Sequence, residues 1–457
     1  MSNFRLHIRN DKLWNRSGRT CTRGKAYLDG ELVGDQRLSL AISRLRSLDE
    51  FLSFLKQLNG FFAIVHEIDD ACFLAVDHVR SCPLFYGKGT DAFYVSDDAQ
   101  WIRTEIRDQR IDEMSAAELL LASYVSGSDT LCPNVKQVQA GETLAIRSTS
   151  EGFHVTPIRH YEHGHGNLIR DSSEQLLATL DSTMIGAFNR LITMAKGRTL
   201  VVPLSGGCDS RVVVLMLQRL GFDNIVAFSY GKPGNEESQI SKRIALSLGI
   251  PWKFIPYSKE SWSRWRHSVE WKAYSEMGDG LSSVPHIKDW PAVWELRKQQ
   301  LVPQDSIFVP GHLAAHLIQH PDYPITWLRP GVIEENQVLN SIREAPFTSW
   351  SHQREDLELR LEEKMLRLLG THHSYTTEEA TDAFERWWWQ GYEAKFIINS
   401  VRVYDFWGYE WWLPLWDLEV AKFWSRVPIA HRVRKNLQIA HMQRLEVATL
   451  GSTTTLQ

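Results

Sequence analysis

The sequence is poor in several features that define whole classes of protein. It has five cysteines among 457 residues, and no two of them are spaced as CxxC: Cys21, Cys72, Cys82, Cys132 and Cys208. The odd count and the scattered positions argue against a disulfide framework and a zinc knuckle, so we expect reduced thiols. No apolar run approaches the length of a membrane span. The opening MSNFRLHIRNDKLW carries charges where a signal peptide has its apolar core, which predicts a cytoplasmic protein.

Positive charge is not in excess either. The chain has 51 Lys and Arg residues against 55 Asp and Glu residues, a formal net charge of -4. This balance gives no polybasic surface of the kind that attracts a nucleic acid or an anionic membrane. We therefore expect neither as a partner, which disfavours a transfer-RNA-modifying enzyme. The length predicts two or three domains, each with its own core.

The first 165 residues are rich in strand patterns. GFFAIVHEIDDACFLAVD, from Gly60, has two apolar segments joined by polar residues, and LFYGKGTDAFYVSDD repeats this arrangement, so each predicts a hairpin. We expect a helix over 116–124 and a short strand pair around Gly141. The stretch HYEHGHGN, 160–167, is polar and aperiodic. It places the predicted boundary between domains 1–165 and 166–457.

Strands and helices alternate after that boundary. Ser172 is a helix-cap candidate for a long helical pattern, and strands are predicted at 200–204, 225–230 and 251–257 with helices between them. This order predicts a doubly wound parallel sheet, extended by a strand at 306–311. Ligands bind such sheets at the carboxyl ends of the strands, where SGGCDS and GKPGNEE lie. The mixed charge and helical period of 354–369 predict a surface helix.

SGGCDS is the segment with the clearest chemistry. Gly206 and Gly207 let the backbone turn tightly and approach an anion, and the N–H groups at the start of the following helix attract phosphate. Ser205 and Ser210 add hydroxyl donors, and Asp209 can hold Mg²⁺ among phosphate oxygens. The GxxxxGK[ST] loop, which delivers a lysine to a γ-phosphate, is absent here. The alternative is a glycine-rich turn that only packs.

SGGCDS resembles SGGxDS, the pyrophosphate-binding loop of the ATP pyrophosphatase (PP-loop) superfamily, whose members adenylate a substrate with ATP. The chain resembles most the class B, glutamine-dependent asparagine synthetase family, through LNGFFAIVHEIDDACFLAVDHVRSCPLFYG (58–87) and NSVRVYDFWGYEWWLPLWDLEVAKFWSRVP (399–428). The resemblance implies an α/β protein. Its N-terminal α+β domain would be of the Ntn (αββα) glutaminase type, and its C-terminal domain would be a doubly wound, ATP-binding ligase domain.

The resemblance also implies the residues of a site for ATP and Mg²⁺. Residues of the loop and of the next strand would bind ATP and its pyrophosphate: Ser205, Gly206, Gly207, Cys208, Asp209, Ser210, Phe228, Ser229 and Tyr230. Asp209 would hold the metal. The catalytic residues would be Asp209, Lys435, His312 and Glu410. Lys435 would contact the departing pyrophosphate, with Arg434 as its alternative.

The chain departs from the family at the start of the glutaminase domain. Family glutaminases begin Met-Cys-Gly and use the cysteine as nucleophile, whereas this chain has Ser2. A serine hydroxyl lacks the thiolate fraction of a cysteine, so we expect glutaminase activity to be absent. A smaller departure is Arg211, which follows the loop where the family has a small residue. Its charge is expected near the phosphates.

The third departure concerns metal binding. Where the family has SGEGxDE, this chain reads PGHLAAH over 310–316, which puts His312 at the Glu and Ala315 at the Asp. Metal binding should weaken, and His312 can act as a base only in its neutral form. Three other acids are candidates to compensate: Asp305, Glu236 and Glu237.

Histidines and aromatics offer competing readings. His312, His316 and His320 share the spacing of one helix face, but HLAAH lacks the Glu of HExxH, so ordinary polar residues are the simpler reading. A second group is simplest as solvated linker residues: His160, His163 and His165. Eight of the 18 tryptophans lie between Trp387 and Trp424. One interpretation is that they line an acceptor pocket with Tyr404 and Tyr409. The other, which we favour for four of them, is that they form a helical core: Trp411, Trp412, Trp416 and Trp424. Glu410 and Arg402 remain the expected ligand contacts.

The leading hypothesis is an ATP-dependent carbon–nitrogen ligase. It would adenylate a small-molecule carboxylate, release pyrophosphate and let ammonia or an amine displace AMP. The loss of the glutaminase nucleophile and the aromatic wall favour an acceptor other than aspartate, such as a uronate or a modified amino acid. Asparagine synthase proper and a catalytically inactive nucleotide-binding scaffold are the alternatives. A homodimer is left open.

Overall fold

The computed structural model describes residues 3–9, 11–164, 167–314, 325–329, 331–344 and 355–450. Its strands, numbered in chain order, are β1 (Phe4–His7), β2 (Trp14–Ser17), β3 (Thr20–Leu28), β4 (Glu31–Gly34), β5 (Asn59–Ile68), β6 (Ala71–Val76), β7 (Phe85–Lys88), β8 (Phe93–Ser96), β9 (Val135–Gln137), β10 (Glu142–Thr149), β11 (Gly152–Arg159), β12 (Leu200–Pro203), β13 (Ile225–Gly231), β14 (Trp252–Pro256), β15 (Ile307–Phe308), β16 (Ile333–Glu334), β17 (Ser374–Tyr375) and β18 (Glu410–Trp411).

The helices are numbered in the same way. They are α1 (Asp35–Ile42), α2 (Leu48–Leu55), α3 (Ala99–Glu105), α4 (Glu113–Ala122), α5 (Ser173–Ala195), α6 (Cys208–Arg219), α7 (Glu236–Ser247), α8 (Lys259–Arg266), α9 (Val269–Asp279), α10 (Trp290–Lys298), α11 (Glu335–Glu344), α12 (Glu355–Leu369), α13 (Thr377–Trp388), α14 (Arg402–Trp407), α15 (Leu418–Arg426), α16 (Ile429–Arg432) and α17 (Asn436–Leu450). A π-helix covers Trp389–Ile397. Within the described residues, no helix combines the length and apolar character needed to span a bilayer.

Two compact units divide the chain. The first takes the described residues of Met1–Gly164, Asp279–Val284 and Asp322–Asn399, and the second takes the remainder, Pro285–Pro321 and Ser400–Gln457 included. The first break lies beside the predicted boundary at residue 165. Residues 322–399 belong to the first unit, although the predicted boundary puts them in domain 166–457. The functional assignment of the two domains stays a prediction.

The first unit is built on two sheets. One has the order β11-β10-β6-β5-β3-β2 with β4 paired to β3, and the other has the order β1-β8-β7-β9. Both predicted hairpins are confirmed, since β5 pairs with β6 and β7 with β8, each antiparallel. Apolar residues of α1 and α2 pack on the first sheet around Phe51 and Ile64, and those of α3 pack on the second around Ile102.

The predicted strand pair around Gly141 is wrong. β9 pairs with β7 in one sheet, whereas β10 pairs with β6 and β11 in the other. Gly141 has a φ of 66°, a left-handed conformation that glycine adopts at little cost. The chain therefore uses this glycine to pass from one sheet to the other, which alternation of polar and apolar residues does not reveal.

An ion-pair network connects α4 and α12 in the first unit. Lys364 of α12 is buried, and its Nζ lies 2.7 Å from Oε2 of Glu118 and 3.0 Å from Oδ2 of Asp129. Leu361 and Met365 on the same helix are also buried. The predicted surface helix at 354–369 thus has one buried face, and its partners lie about 240 positions earlier in the chain.

The second unit contains a five-stranded parallel sheet in the order β14-β13-β12-β15-β18. Counted along the chain, this order is 3-2-1-4-5, the doubly wound arrangement. The predicted fold class, α/β with a parallel C-terminal sheet, is confirmed. The long helix α5 begins as predicted, because Ser172 and Gln175 form a reciprocal capping box. The strand order reverses between β12 and β15, which makes the ends of these two strands the expected ligand site.

Candidate active site

The loop SGGCDS and the segment after β15 meet at the carboxyl edge of the second unit's sheet. Val201 of β12 lies opposite Phe308 of β15, and each chain then leaves the sheet in the same direction. Gly311 packs directly on the loop, because a Cβ atom there would lie 2.7 Å from the backbone nitrogen of Ser210 and 2.9 Å from its Cα. The two segments therefore form one surface.

Hydroxyl groups hold the loop in shape. Ser210 Oγ accepts a hydrogen bond from the N–H of Ser205 at 3.1 Å, and the two hydroxyl oxygens are 3.1 Å apart. Ser205 Oγ accepts from the N–H of Gly207 at 3.1 Å. Helix α6 begins at Cys208, and its N-cap Gly207 gives it no side-chain cap. The N–H groups of its first turn are therefore open to an anion such as phosphate.

Asp209 is held by two residues from the end of the chain. Lys435 Nζ lies 3.5 Å from Asp209 Oδ2, and Gln438 Nε2 donates a hydrogen bond to Oδ1. Arg434 and Lys435 have φ of 56° and 62°, a conformation that costs about 1–2 kcal/mol for a residue other than glycine. Backbone strain of this kind is found where a functional group must be aimed, and here it brings a cation to the loop.

Arg211 braces the loop. Its Nη2 donates to the carbonyl of Gly206 at 3.1 Å, and its Nη1 donates to Oε1 of Glu446 at 2.9 Å. The residue is 8% exposed. The predicted extra positive charge near the phosphates is therefore largely offset by Glu446. Cys208 is half-buried, and burial raises the pKa of its thiol to about 12.

The three predicted residues of β13 have different roles. Phe228 is fully buried with its ring 6.0 Å from that of Phe308, so its side chain packs in the core, and its part in binding ATP stays a prediction. Ser229 Oγ bonds to the carbonyl of Leu204 at 2.6 Å and so fixes the end of β12. Tyr230 is half-buried and stacks on Tyr257 with ring centroids 5.1 Å apart. Burial raises its pKa well above the ordinary value.

Glu410 lies away from the loop, which corrects its predicted catalytic role. It stands opposite Ile307, which in turn stands opposite Leu200, the first residue of β12. Glu410 is thus at the amino edge of the sheet, where its Oε1 pairs with Nη1 of Arg198 at 3.1 Å. Arg402, the other expected ligand contact, is buried, with its Nη1 3.7 Å from Oδ2 of Asp405. Strand direction decides the position of Glu410, and the sequence motif does not contain it, whereas Arg402 lies on the short helix α14.

His312 stays beside the loop. It follows Gly311, and its Nε2 lies 2.9 Å from Oγ of Ser400. Glu236 and Glu237 are exposed in the first turn of α7, at the same edge of the sheet, whereas Asp305 precedes β15 at the opposite edge. Four other predicted positions, and the start of the chain, lie outside the described residues: Ala315, His316, His320, His165 and Ser2.

The described residues fit ATP better than they fit a metal ion alone. They contain no cluster of three or more His, Cys, Asp or Glu side chains placed to hold a metal. Mg²⁺ is commonly held by one or two carboxylates together with phosphate oxygens and water, so Asp209 suffices only when the phosphates of ATP supply other ligands. Two of the three linker histidines, His160 and His163, lie in the part of the chain that the structure describes. His163, predicted to be solvated, is fully buried.

Most of the tryptophans form core, as predicted. Six from the C-terminal cluster are at most 4% exposed: Trp387, Trp388, Trp389, Trp412, Trp416 and Trp424. The helical part of the prediction fails at three positions. Trp411 is half-buried on β18, Trp412 follows that strand directly, and Trp416 lies in a 3-10 turn. The sequence gives no sign that Gln438 belongs to the site, because only the tertiary structure brings this residue of α17 to Asp209.

Comparisons with known proteins find partial similarity. No protein with a curated description matches the chain. Among solved structures, an NH3-dependent NAD synthetase from Campylobacter jejuni is 15% identical (TM-score 0.22, 43% of this chain and 88% of that chain). An NMN synthetase from Francisella tularensis is 14% identical (TM-score 0.23, 47% and 93%). The glutamine phosphoribosylpyrophosphate amidotransferase of B. subtilis is 13% identical (TM-score 0.22, 67% and 64%). TM-scores this low carry no argument about activity. Residues 51–157, from α2 to β11, match the family described as a glutamine amidotransferase domain.

Proposed function

We propose that the second unit is an ATP-dependent amide-forming ligase of the asparagine synthetase type, which adenylates a carboxylate and releases pyrophosphate. One observation carries this proposal. The glycine loop lies at the reversal point of a parallel sheet, its helix has an open N-terminus, and Lys435 lies 3.5 Å from Asp209 beside it. Such a surface suits a polyphosphate, because N–H groups and a cation converge on it.

In the first step a carboxylate oxygen of the acceptor forms a bond to the α-phosphorus of ATP, and the bond to the β-phosphate oxygen breaks. The N–H groups at the start of α6 and the hydroxyls of Ser205 and Ser210 hold the phosphates. Lys435 neutralises the charge that develops on the leaving pyrophosphate. Asp209 keeps Lys435 oriented and, with ATP bound, would provide a carboxylate for Mg²⁺, which would neutralise further charge.

In the second step an amine nitrogen forms a bond to the activated carbonyl carbon, and the bond to AMP breaks. The nitrogen must lose a proton. His312 lies beside the loop, half-buried next to Gly311 and with its Nε2 2.9 Å from the hydroxyl oxygen of Ser400, and a neutral imidazole can accept this proton. We propose His312 as this base.

Exchange of labelled pyrophosphate into ATP tests the proposal. Aspartate, uronic acids and modified amino acids are supplied one at a time, and we expect exchange that depends on one of them. Asp209→Asn should reduce it by about 100-fold or more, because it removes the negative charge that orients Lys435 and would hold Mg²⁺. Asp305→Asn is the matched control, since Asp305 is exposed at the opposite edge of the sheet. Exchange with aspartate alone would identify asparagine synthase proper.

A catalytically inactive scaffold is the second candidate. Asp209 is the carboxylate that the described residues place within the loop, and it already bonds Lys435 and Gln438. A site with a single acid binds Mg²⁺ less firmly than one with two. Retained binding of ATP without exchange for any acid would favour the scaffold and reject the ligase.

A further inference from the structure

A large cleft opens in the second unit at the carboxyl ends of β13 and β14. Its volume is about 900 Å³, and it lies between the ends of these strands and the helices α8 and α9. Pockets for small-molecule ligands are commonly of this size. The reaction proposed above gives this cleft no role, although the cleft lies on the same edge of the sheet as the glycine loop.

The ionisable side chains of the cleft, apart from Tyr257, are basic. Lys232, Lys259, Arg266 and His267 line it, and no Asp or Glu does. All four are exposed, and within the described part of the chain the three longer cations form no ion pair. His267 donates a hydrogen bond from Nδ1 to the carbonyl of Ser263 at 2.7 Å, so its other ring nitrogen, Nε2, takes no part in that bond. In a chain of net charge -4, this local excess of positive charge fits an anionic ligand.

Aromatic rings form the other wall. Tyr257, Trp262 and Trp271 line the cleft, and the two indoles are half-buried. Trp262 packs edge to face against Tyr257 at 5.6 Å and against Trp271 at 6.2 Å. These contacts fix the orientation of the rings before any ligand arrives. Rings held in this way offer faces and edges on which a planar ring or a sugar ring packs.

The cleft is within reach of the loop. β14, β13 and β12 are neighbours in the sheet, and strands are spaced by about 4.8 Å, so the end of β14 lies about 10 Å across the sheet from the end of β12. The stacked rings of Tyr230 and Tyr257 pack together at the ends of β13 and β14, the two strands nearest the cleft. A ligand with its ring in the cleft can therefore extend a carboxylate toward the loop.

We propose that this cleft binds the acceptor, and that the acceptor is a ring-bearing carboxylic acid with at least one further acidic group. This inference rests on the proposed function, because it assigns the carboxylate to the reaction at the loop. The three cations select an acid of more than one charge, and the aromatic wall selects a ring. Aspartate has no ring, so it cannot pack on the aromatic wall.

Calorimetric titration in 0.15 M salt tests the inference with three probes. The first, 4-carboxyphenyl phosphate, has a ring and two acidic groups. The second, benzoate, lacks the second acidic group, and the third, 3-phosphoglycerate, lacks the ring. We expect the first to bind at least about tenfold more tightly than either of the others. Lys259→Glu and Arg266→Glu should each weaken it by about tenfold or more, and Trp262→Leu by a similar factor. Lys272→Glu is the control, because Lys272 is exposed on α9 outside the cleft.

Parallel titrations with a nonhydrolysable ATP analogue separate the two proposals. The cleft variants should bind the analogue within about twofold of the unaltered protein. If the analogue binds and no probe does, the inference is wrong. If the variants lose the analogue, the cleft holds the nucleotide and the inference is again wrong. If the probe binds and the unaltered protein does not bind the analogue, the proposed ligase fails and the assigned ligand chemistry stands.

Discussion

Gly311 and Ser210 are packed backbone to backbone, since a Cβ atom on Gly311 would lie 2.7 Å from the nitrogen of Ser210. This contact joins the segment after β15 to the glycine loop after β12. It explains why a glycine is needed there although its φ lies outside the left-handed region. The shape of the loop therefore depends on a residue about 100 positions later in the chain.

Gly311→Ala should move the loop and weaken nucleotide binding. The added methyl has only backbone atoms to displace, so we expect a loss of about 1–3 kcal/mol in the free energy of unfolding. We also expect weaker binding of an ATP analogue by calorimetry. Gly186→Ala on α5 is the control, because its Cβ would meet nothing closer than 3.8 Å. Unchanged stability and affinity in Gly311→Ala would contradict the packing.

Lys435, rather than Arg434, should be the cation that acts on pyrophosphate. Both residues have positive φ, so replacing either with Met leaves the backbone strain the same. Only Lys435 has its charge beside Asp209. We expect Lys435→Met to lower the rate of pyrophosphate exchange by about 100-fold, with ATP affinity affected less, and Arg434→Met to lower it by less than about fivefold. The reverse order would assign the role to Arg434.

The glycine loop was predictable because its chemistry is local in sequence. Strand, SGGCDS and helix follow one another directly, and Ser205, Gly207 and Ser210 bond among themselves. The choice of Lys435 rests on a family resemblance, and its Nζ lies 3.5 Å from Asp209 Oδ2 beside the loop. The predicted catalytic role of Glu410 is wrong because a sequence motif does not show at which end of a strand a residue lies. The sequence does not predict the cleft at α8 and α9, because its cations and tryptophans come from separate segments. Each segment alone has the composition of an ordinary protein surface.

The first unit should depend strongly on one buried ion pair. Glu118 is fully buried, and Lys364 is its cationic partner at 2.7 Å. Lys364→Met removes that partner and leaves a buried carboxylate uncompensated, which costs about 3–5 kcal/mol. Lys422→Met is the control, because the Lys422 and Glu419 side chains are about half exposed and such pairs contribute about 1 kcal/mol or less. Urea denaturation measures both. Equal losses would show that burial of the pair does not matter.

His441 should make the second unit less stable in acid. Its Nε2 lies 3.1 Å from Oδ1 of Asp181, and Arg219 and Arg444 are nearby. Burial lowers the pKa of His441 below its ordinary value of about 6.5, although Asp181 opposes this effect.

Because the folded pKa is the lower one, the unfolded chain takes up a proton first as pH falls. The stabilisation is thus present above about pH 6.5 and is lost below it, at up to about 1.4 kcal/mol for each pH unit between the two pKa values. His441→Gln cannot titrate. Between pH 7 and pH 5 the urea midpoint of the unaltered protein should therefore fall by more than the midpoint of this variant. A difference independent of pH would contradict the assignment.

The first unit should fail to hydrolyse glutamine, although residues 51–157 match a glutamine amidotransferase domain. A cysteine nucleophile must be accessible as a thiolate. The four cysteines of this unit are buried, and burial raises the pKa of Cys72 and of Cys132. We expect no glutamate from glutamine above the uncatalysed rate, while ammonium supports amide formation at the second unit. Glutamate release that Ser2→Ala abolishes would instead identify a serine nucleophile, and the nitrogen donor would then be glutamine.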